Sequence, residues 1–518
     1  MSNTSPPLYE RRQVIGLFAG LIAFTLLLLL PPPAGLGDKA WHMTAVTVLM
    51  GVWWVSEALH PSITALLPLA LFPFLRLMPP QEVSAAYADH IIFLFMGGFL
   101  IALAMEKWHL HRRIALHILS RVGRSPRTIS LGFMLTTAII SMWVSNTATT
   151  MIMLPIAVAI LDHADSQGYD TRKGFGTALM LMVAYGASIG GVGTPVGTPP
   201  NIIFLGAFTK LFPAAEPISF LRWMLFGVPT VLLMALVTWS YLSFLAFPST
   251  GAGWQADRHF LQARLRALGP MTPAEKRVLA VATTTALLWI FRSDIPLGGV
   301  TIPGWTRLLP PPVTVEDSTV AIGMALLLFL IPADRRSGTF LLDWETARRL
   351  PWGVLLLLGG GLALAAGVEQ SGLAAWLGSR LTVVGELPPV SGIFLVTLLT
   401  AVVTEFASNT ASTTLLMPVL AATARAMQLD PLLLMVPATF AASICNFMLP
   451  SATGPNAIVF ASGHVTIPQM VRAGIGLDLL GTLVLTVLVY VLGIPVFGIS
   501  LDGLPPWARE AGLAGGQP

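Results

Sequence analysis

Runs of about 20 apolar residues, long enough to cross a bilayer as helices, recur along nearly the whole chain and leave little room for any other fold. They fall at 13–30, 40–59, 61–78, 91–107, 174–190, 219–246, 277–291, 315–331, 353–369, 431–447 and 473–497. Only 10% of the 518 residues are charged and 55% are hydrophobic, whereas a soluble protein carries roughly a quarter charged residues. The expected class is an all-α polytopic membrane protein with about eleven transmembrane spans.

Other classes fall away quickly. A single cysteine, Cys445, rules out an internal disulfide and any multi-cysteine metal site. The formal charge of +4 sits in short connections between apolar runs, so it does not point to nucleic acid. Residues 13–30 end in a triple proline with no small-residue cleavage site after them, and are expected to be a retained first span rather than a signal peptide.

Two further apolar segments, 128–161 and 389–424, are interrupted by Ser145-Asn146-Thr147 and Ser408-Asn409-Thr410. Each is expected to form a re-entrant hairpin of helix, polar tip and helix. This choice follows from the positive-inside rule. With the N-terminus cytoplasmic and both segments re-entrant, 20 of the 29 Lys and Arg residues fall on the cytoplasmic side. Treating either segment as a full crossing would spoil that asymmetry. The two hairpins then have opposite topology.

The likeness between the halves extends well past the tripeptide. At a spacing of 263 residues, Glu82 matches Glu345, Gly97-Gly98 matches Gly360-Gly361, Glu106 matches Glu369, Ser141 aligns with Thr404, and Pro155 matches Pro418. After the hairpins the spacing becomes 255, and 193–201 (GTPVGTPPN) faces 448–456 (MLPSATGPN). The expected organisation is a tail and first span (1–39), a first inverted repeat (40–246; hairpin 128–161, broken helix 174–212), a linker (247–276), a second inverted repeat (277–497; hairpin 389–424, broken helix 431–463) and a tail (498–518). Inverted repeats with interrupted helices point to a secondary transporter whose site lies at the repeat interface near the midplane. A third SNT, Ser2-Asn3-Thr4, lies in a polar tail without this pattern.

Irregular backbone at membrane depth survives only where protein buries it or it lines a watery cavity, so the two tips and the two Pro/Gly breaks should converge. Ser145 and Ser408 suit helix N-caps, and the helix starts behind them carry partial positive charge that favours anions. Asn donates through its NH2 and accepts through its carbonyl. A cluster of Asn, Ser, Thr and freed carbonyls without Cys or His suits a hard monovalent cation such as Na+, and not zinc. No Lys or Arg lies in either tip, so a nearby cation would supply the positive charge a bound anion needs. The competing reading, in which Ser, Thr and Asn only cap helices and join spans, accounts for one copy better than for two.

GVWWVSEALHPSITALLPLALFPFL (51–75), FMGGFLIALAMEK (95–107), the two SNT hairpins and VGTPPN (196–201) together resemble the divalent anion:sodium symporters, carriers of dicarboxylates, citrate and sulfate. The resemblance covers nearly the whole chain. It implies eleven spans and two hairpins, a scaffold domain that holds a homodimer interface, and a transport domain that moves like an elevator. It further implies one sodium site at Ser141, Ser145, Asn146 and Gly197, and another at Thr404, Ala407, Asn409 and Ala452. The substrate carboxylates would meet Asn146, Thr147, Thr198, Asn409, Thr410 and Thr453. Gly454 departs from the family, which often has proline there.

The expected function is Na+-coupled symport of four-carbon dicarboxylates such as succinate, malate or fumarate, in a bacterial inner membrane, with Na+ as coupling ion and no organic cofactor. The alternatives are a sodium-independent exchanger of the same fold, citrate or sulfate as substrate, a channel and, more distantly, an intramembrane hydrolase, which would need a nucleophile and base that neither tip supplies. Glu57 and Glu405 lie inside apolar segments, where function is the default hypothesis. A packing or capping role is favoured for Glu57, while Glu405 either tunes the sodium site or holds hairpin backbone. GGVGTPVG (190–197) has no preceding strand and is not a nucleotide loop. His109 and His111 are expected at an interface rather than on a metal, and 162–165 (DHAD) at a solvated helix end.

Overall fold

Helix starts in this chain are written in capping side chains and prolines. Asp89, Ser125, Ser145, Ser219, Thr272, Ser408 and Thr453 each accept a backbone N–H from the first turn that follows them, the interaction that makes short polar residues good N-caps. The computed structural model describes residues 11–121, 123, 125–171, 174–248, 258–297, 300–334, 338–380 and 388–509. Arg124, Arg172, Lys173, Arg335 and Arg336, counted above as cytoplasmic, lie outside them, as do Ser2-Asn3-Thr4.

In chain order the helices are α1 (Arg11–Leu29), α2 (Asp38–Ser56), α3 (Pro61–Thr64), α4 (Leu67–Phe74), α5 (Pro80–Ala86), α6 (His90–Lys107), α7 (Leu110–Leu119), α8 (Pro126–Ser141), α9 (Asn146–Ser166), α10 (Phe175–Gly191), α11 (Pro199–Leu211) and α12 (Phe220–Ser240). The second half holds α13 (Arg258–Ala267), α14 (Pro273–Ile290), α15 (Asp317–Leu330), α16 (Trp344–Ala347), α17 (Trp352–Gln370), α18 (Leu373–Arg380), α19 (Pro389–Phe406), α20 (Asn409–Ala426), α21 (Leu432–Ile444), α22 (Gly454–Ala461) and α23 (Ile467–Leu488). Two short antiparallel strand pairs, Ile295–Leu297 with Val300–Ile302 and Pro332–Asp334 with Thr339–Phe340, lie in connections.

Among the described residues, seven helical stretches are long and apolar enough to cross a membrane, and four apolar ones are shorter. Both SNT segments break where the sequence suggests, between α8 and α9 and between α19 and α20. The run 61–78 differs from expectation: it is two short helices, because Pro61 and Pro68 each restart a first turn, where a missing N–H costs nothing. Large apolar side chains such as Phe18, Leu29, Phe74, Leu245, Leu330 and Val487 are exposed. That surface suits hydrocarbon and would be a liability in water.

The centre is built from the two broken helices. Every residue of α10 and of α21 is buried. Each packs against its own hairpin, α10 on α8 and α9, and α21 on α19 and α20. The short arms cross over: α11 packs on α17, α20 and α21, while α22 packs on α9 and α10. This exchange brings the two sets of polar tips together.

Candidate functional site

In the first repeat the tip is a closed polar network. The Ser141 hydroxyl lies 2.7 Å from the Ala187 carbonyl oxygen and 2.9 Å from Asn146 Oδ1. Ser145 caps α9 by accepting the Ala148 N–H at 3.3 Å. In the break between α10 and α11, Thr194 donates its hydroxyl to the Met142 carbonyl at 2.5 Å. Asn201 donates its NH2 to the carbonyls of Gly191 (3.0 Å) and Thr194 (2.7 Å).

The second repeat rebuilds much of this at the spacings read from the sequence. Thr404 donates to the Ala442 carbonyl at 3.2 Å, as Ser141 does to Ala187. Asn456 donates to the carbonyls of Asn446 and Leu449, both at 3.0 Å, as Asn201 does to Gly191 and Thr194. Ser408 caps α20 through the Ala411 N–H at 3.2 Å. Two features differ. Asn409 Oδ1 turns back to accept the Thr410 N–H (2.8 Å) and hydroxyl (3.1 Å), so it is not joined to Thr404 as Asn146 is to Ser141. Moreover, Leu449 stands where the first repeat has Thr194, and Glu405 where it has Met142. Glu405 accepts the N–H groups of Met448 (2.9 Å) and Leu449 (3.2 Å). The joint between hairpin and break is thus kept with its chemistry reversed, a side-chain acceptor on the hairpin replacing a side-chain donor on the break. Glu405 does hold backbone, but that of the break at Met448 and Leu449 rather than that of its own hairpin.

Both tips and both breaks open onto one cavity of about 480 Å³, within the usual range of about 300–1,000 Å³ for ligand sites. All six substrate candidates line it: Asn146, Thr147, Thr198, Asn409, Thr410 and Thr453. Ser145 and Gly197 of the sodium sets also line it, whereas Ser141, Thr404, Ala407 and Ala452 are buried. The hydroxyl of Thr198 is buried and has no hydrogen-bond partner. The halves touch where Gly454 meets Thr147, since a Cβ on Gly454 would stand 2.6 Å from Thr147 Oγ1. The departure from proline noted at Gly454 therefore coincides with a close approach.

Sequence reasoning did not place Arg349 and Glu106 at the site, yet they are the charged residues among those lining the cavity. Arg349 lies just before α17 with an exposed side chain. Its nearness to a helix-opening Pro351-Trp352 is the signal the sequence offers.

The oxygens around the first tip fit a hard cation. A Cβ on Gly197 would run into the Gly191 carbonyl and reach 3.0 Å from the Met142 carbonyl, and one on Gly191 would reach 2.6 Å from Asn146 Oδ1. Neutral oxygens, two main-chain carbonyls and one carboxamide, therefore crowd together here, a donor set that suits a group-one ion rather than a softer metal. Among the described residues no cluster of three His, Cys, Asp or Glu could hold another metal.

The remaining candidates have structural partners. Glu57 ends α2 in a left-handed conformation (φ 51°) and pairs with Arg12 at 2.7 Å. His111 is buried with Nδ1 3.0 Å from the Met105 carbonyl, and burial pushes its imidazole down to about 4. Asp165 of the DHAD stretch accepts the Thr171 N–H and hydroxyl at the end of α9.

Paired broken helices whose polar tips share one cavity inside an apolar, all-helical body define a polytopic membrane transporter. The chain belongs to the family described as the sodium:sulfate symporter transmembrane region, whose model matches residues 11–499. It is 42% identical over 500 residues to the sodium-dependent dicarboxylate transporter SdcS of Staphylococcus saprophyticus, covering 95% of this chain and 94% of that protein. It is 40% identical over the same length to SdcS of Staphylococcus aureus strain MRSA252, with the same coverage. Among solved structures, the YdaH transporter of Alcanivorax borkumensis shares the fold with a TM-score of 0.56 at 14% identity, covering 94% of this chain and 100% of that one.

Proposed function

We propose that this protein carries four-carbon dicarboxylates across the membrane in symport with Na+. One observation carries the reading: the six anion-binding candidates, three from each repeat, line a single cavity. The relatives named sodium-dependent dicarboxylate transporters support the same cargo.

In this reading the dianion lies between the tips. Each carboxylate meets an Asn and a Thr at a helix start, Asn146 and Thr147 on one side and Asn409 and Thr410 on the other, with Thr198 and Thr453 completing the cradle. The starts of α9, α11, α20 and α22 each contribute about half a positive charge. Pro199, Pro200 and Pro455 remove N–H donors from two of them, so hydroxyls and carboxamides do the hydrogen bonding there. Arg349 draws anions toward the cavity mouth. Sodium ions ride as co-substrate, one held by Ser141, Ser145, Asn146 and Gly197, the other by Thr404, Ala407, Asn409 and Ala452. The loaded site is then closer to neutral, which lowers the cost of moving it through a low-dielectric region. The second site is completed when Asn409 turns from Thr410 toward Thr404.

The wider architecture belongs to this reading too: two inverted repeats with re-entrant hairpins, a transport domain that moves as an elevator against a dimerising scaffold, and a cytoplasmic N-terminus in a bacterial inner membrane. Uptake into proteoliposomes without internal anion decides between symport and exchange. Succinate, malate or fumarate should accumulate with an inward Na+ gradient and not with K+ in its place. Accumulation that needs internal dicarboxylate and ignores Na+ would establish an exchanger, and preference for citrate or sulfate in the same assay would reassign the cargo.

A further inference from the structure

The hydrogen bonds of Asn201 and Asn456 recur too closely to be incidental. Each is the third residue of the short arm after a break, behind Pro199-Pro200 and Gly454-Pro455. Each is fully buried. Each spends its NH2 on two carbonyls of the preceding break, at 2.7–3.0 Å in the first repeat and 3.0 Å in the second. In both, the carboxamide oxygen is buried with no hydrogen-bond partner. A buried acceptor left unpaired is costly, and a residue kept only to fill space would not strand an oxygen at the same place twice. What the two share is a donor aimed at main-chain oxygens.

Those oxygens adjoin the proposed sodium sets: Thr194 O also accepts the Gly197 N–H at 3.3 Å, and Leu449 O that of Ala452. Gly191 O, one of the two that Asn201 holds, is the carbonyl that a side chain on Gly197 would strike, and Gly191 also abuts Asn146. Thr194, whose carbonyl is the other, passes its hydroxyl on to Met142 O. In the second repeat Asn456 holds Leu449 O, which also accepts the Ala452 N–H at 3.2 Å. From the far side of each break, one carboxamide ties together two carbonyls, one at the end of the long arm and one in the turn that carries Gly197 or Ala452.

We infer that Asn201 and Asn456 are positioning residues that pre-set the carbonyl geometry of the two sodium sites, one in each repeat, without touching ion or anion. This rests on the symporter reading above. Pre-set carbonyls spare the ion the cost of ordering its own ligands, so losing the brace should weaken sodium binding before it weakens anything else.

The test uses the full-length protein in detergent or nanodiscs, with melting temperature followed against Na+ concentration at constant ionic strength in K+. An ion that binds only the folded state raises the melting temperature along its own binding curve. Asn201→Asp and Asn456→Asp keep the side-chain shape while facing the two carbonyls with an acceptor. The expected result is a shift of the sodium midpoint to about tenfold higher concentration in each variant, with uptake at saturating sodium largely retained. A lowered melting temperature at every sodium concentration with the wild-type midpoint would mean that the carboxamides only hold the fold, and would overturn the inference. Where an aspartate variant does not insert, Asn201→Ala and Asn456→Ala decide by the same titration. A wild-type protein whose melting is indifferent to Na+ would instead sink the symporter reading itself.

Discussion

Gly197→Ala probes the first proposed sodium site most directly. The added methyl would land on the Gly191 carbonyl oxygen and stand 3.0 Å from that of Met142. Neither oxygen can yield easily, because Gly191 O is held by Asn201 and Met142 O by Thr194. Forcing a methyl into a packed site costs about 1–3 kcal/mol. Since the displaced oxygens pack against Gly197 of the proposed sodium set, most of that cost should appear as lost sodium affinity, and each 1.4 kcal/mol is about tenfold. The sodium concentration for half-maximal uptake should therefore rise about five- to a hundredfold. Gly323→Ala is the control: it lies within α15 with nothing within 4 Å of its would-be Cβ, and alanine there should leave the sodium curve alone while slightly favouring the helix. The assay is initial-rate succinate uptake into proteoliposomes over a range of Na+ at fixed ionic strength. A Gly197→Ala protein with the sodium curve of the wild type would refute that site.

Four further outcomes follow from the geometry. Asn146→Ala and Asn409→Ala should each abolish sodium-driven uptake in correctly inserted protein, because each removes a cation ligand and an anion donor together. Glu405→Ala leaves the Met448 and Leu449 N–H groups without their acceptor; it should cost about 1–3 kcal/mol, measurable as a lower melting temperature. Arg349→Gln should raise KM for the dianion roughly fivefold at low salt, since a cation at the mouth of a wet cavity is worth about 1 kcal/mol to it, and the difference should shrink as salt screens it. His111 has a folded-state pKa of about 4 against an ordinary 6.5, so the unfolded chain takes up the proton first and stability falls as pH drops between those values. Wild-type melting temperature should drop over that interval, and His111→Phe should drop less.

Much of the fold is visible in the sequence because each signal is local. An apolar run of bilayer length, a Ser-Asn-Thr interruption and a Pro-Pro restart each act within a few residues, and the spacings of 263 and 255 residues align whole hydrogen-bond networks, down to Ser141 with Thr404 and Asn201 with Asn456. What escaped the sequence depends on chain returning from afar. Arg349 and Glu106 reach the cavity only because α6 and α17 border it. The run 61–78 looks continuous until Pro61 and Pro68 are weighed against its apolar content. The left-handed backbone at Glu57 leaves no mark in residue type. Glu405 could be singled out as unusual but not assigned, since its partners lie beyond Cys445 in a segment with no helical register to count along.

The reversed joint also bears on how such a chain can diverge after duplication. In one half a threonine reaches a main-chain oxygen, and in the other a carboxylate collects two main-chain amides. Neither arrangement can be reached from the other by a single replacement without stranding a donor or an acceptor away from water, a cost paid by every intermediate. Copying one half's residues into the other position by position should therefore fail at this hinge, whereas exchanging both partners at once, together with the Asp478 that bonds Glu405, should succeed.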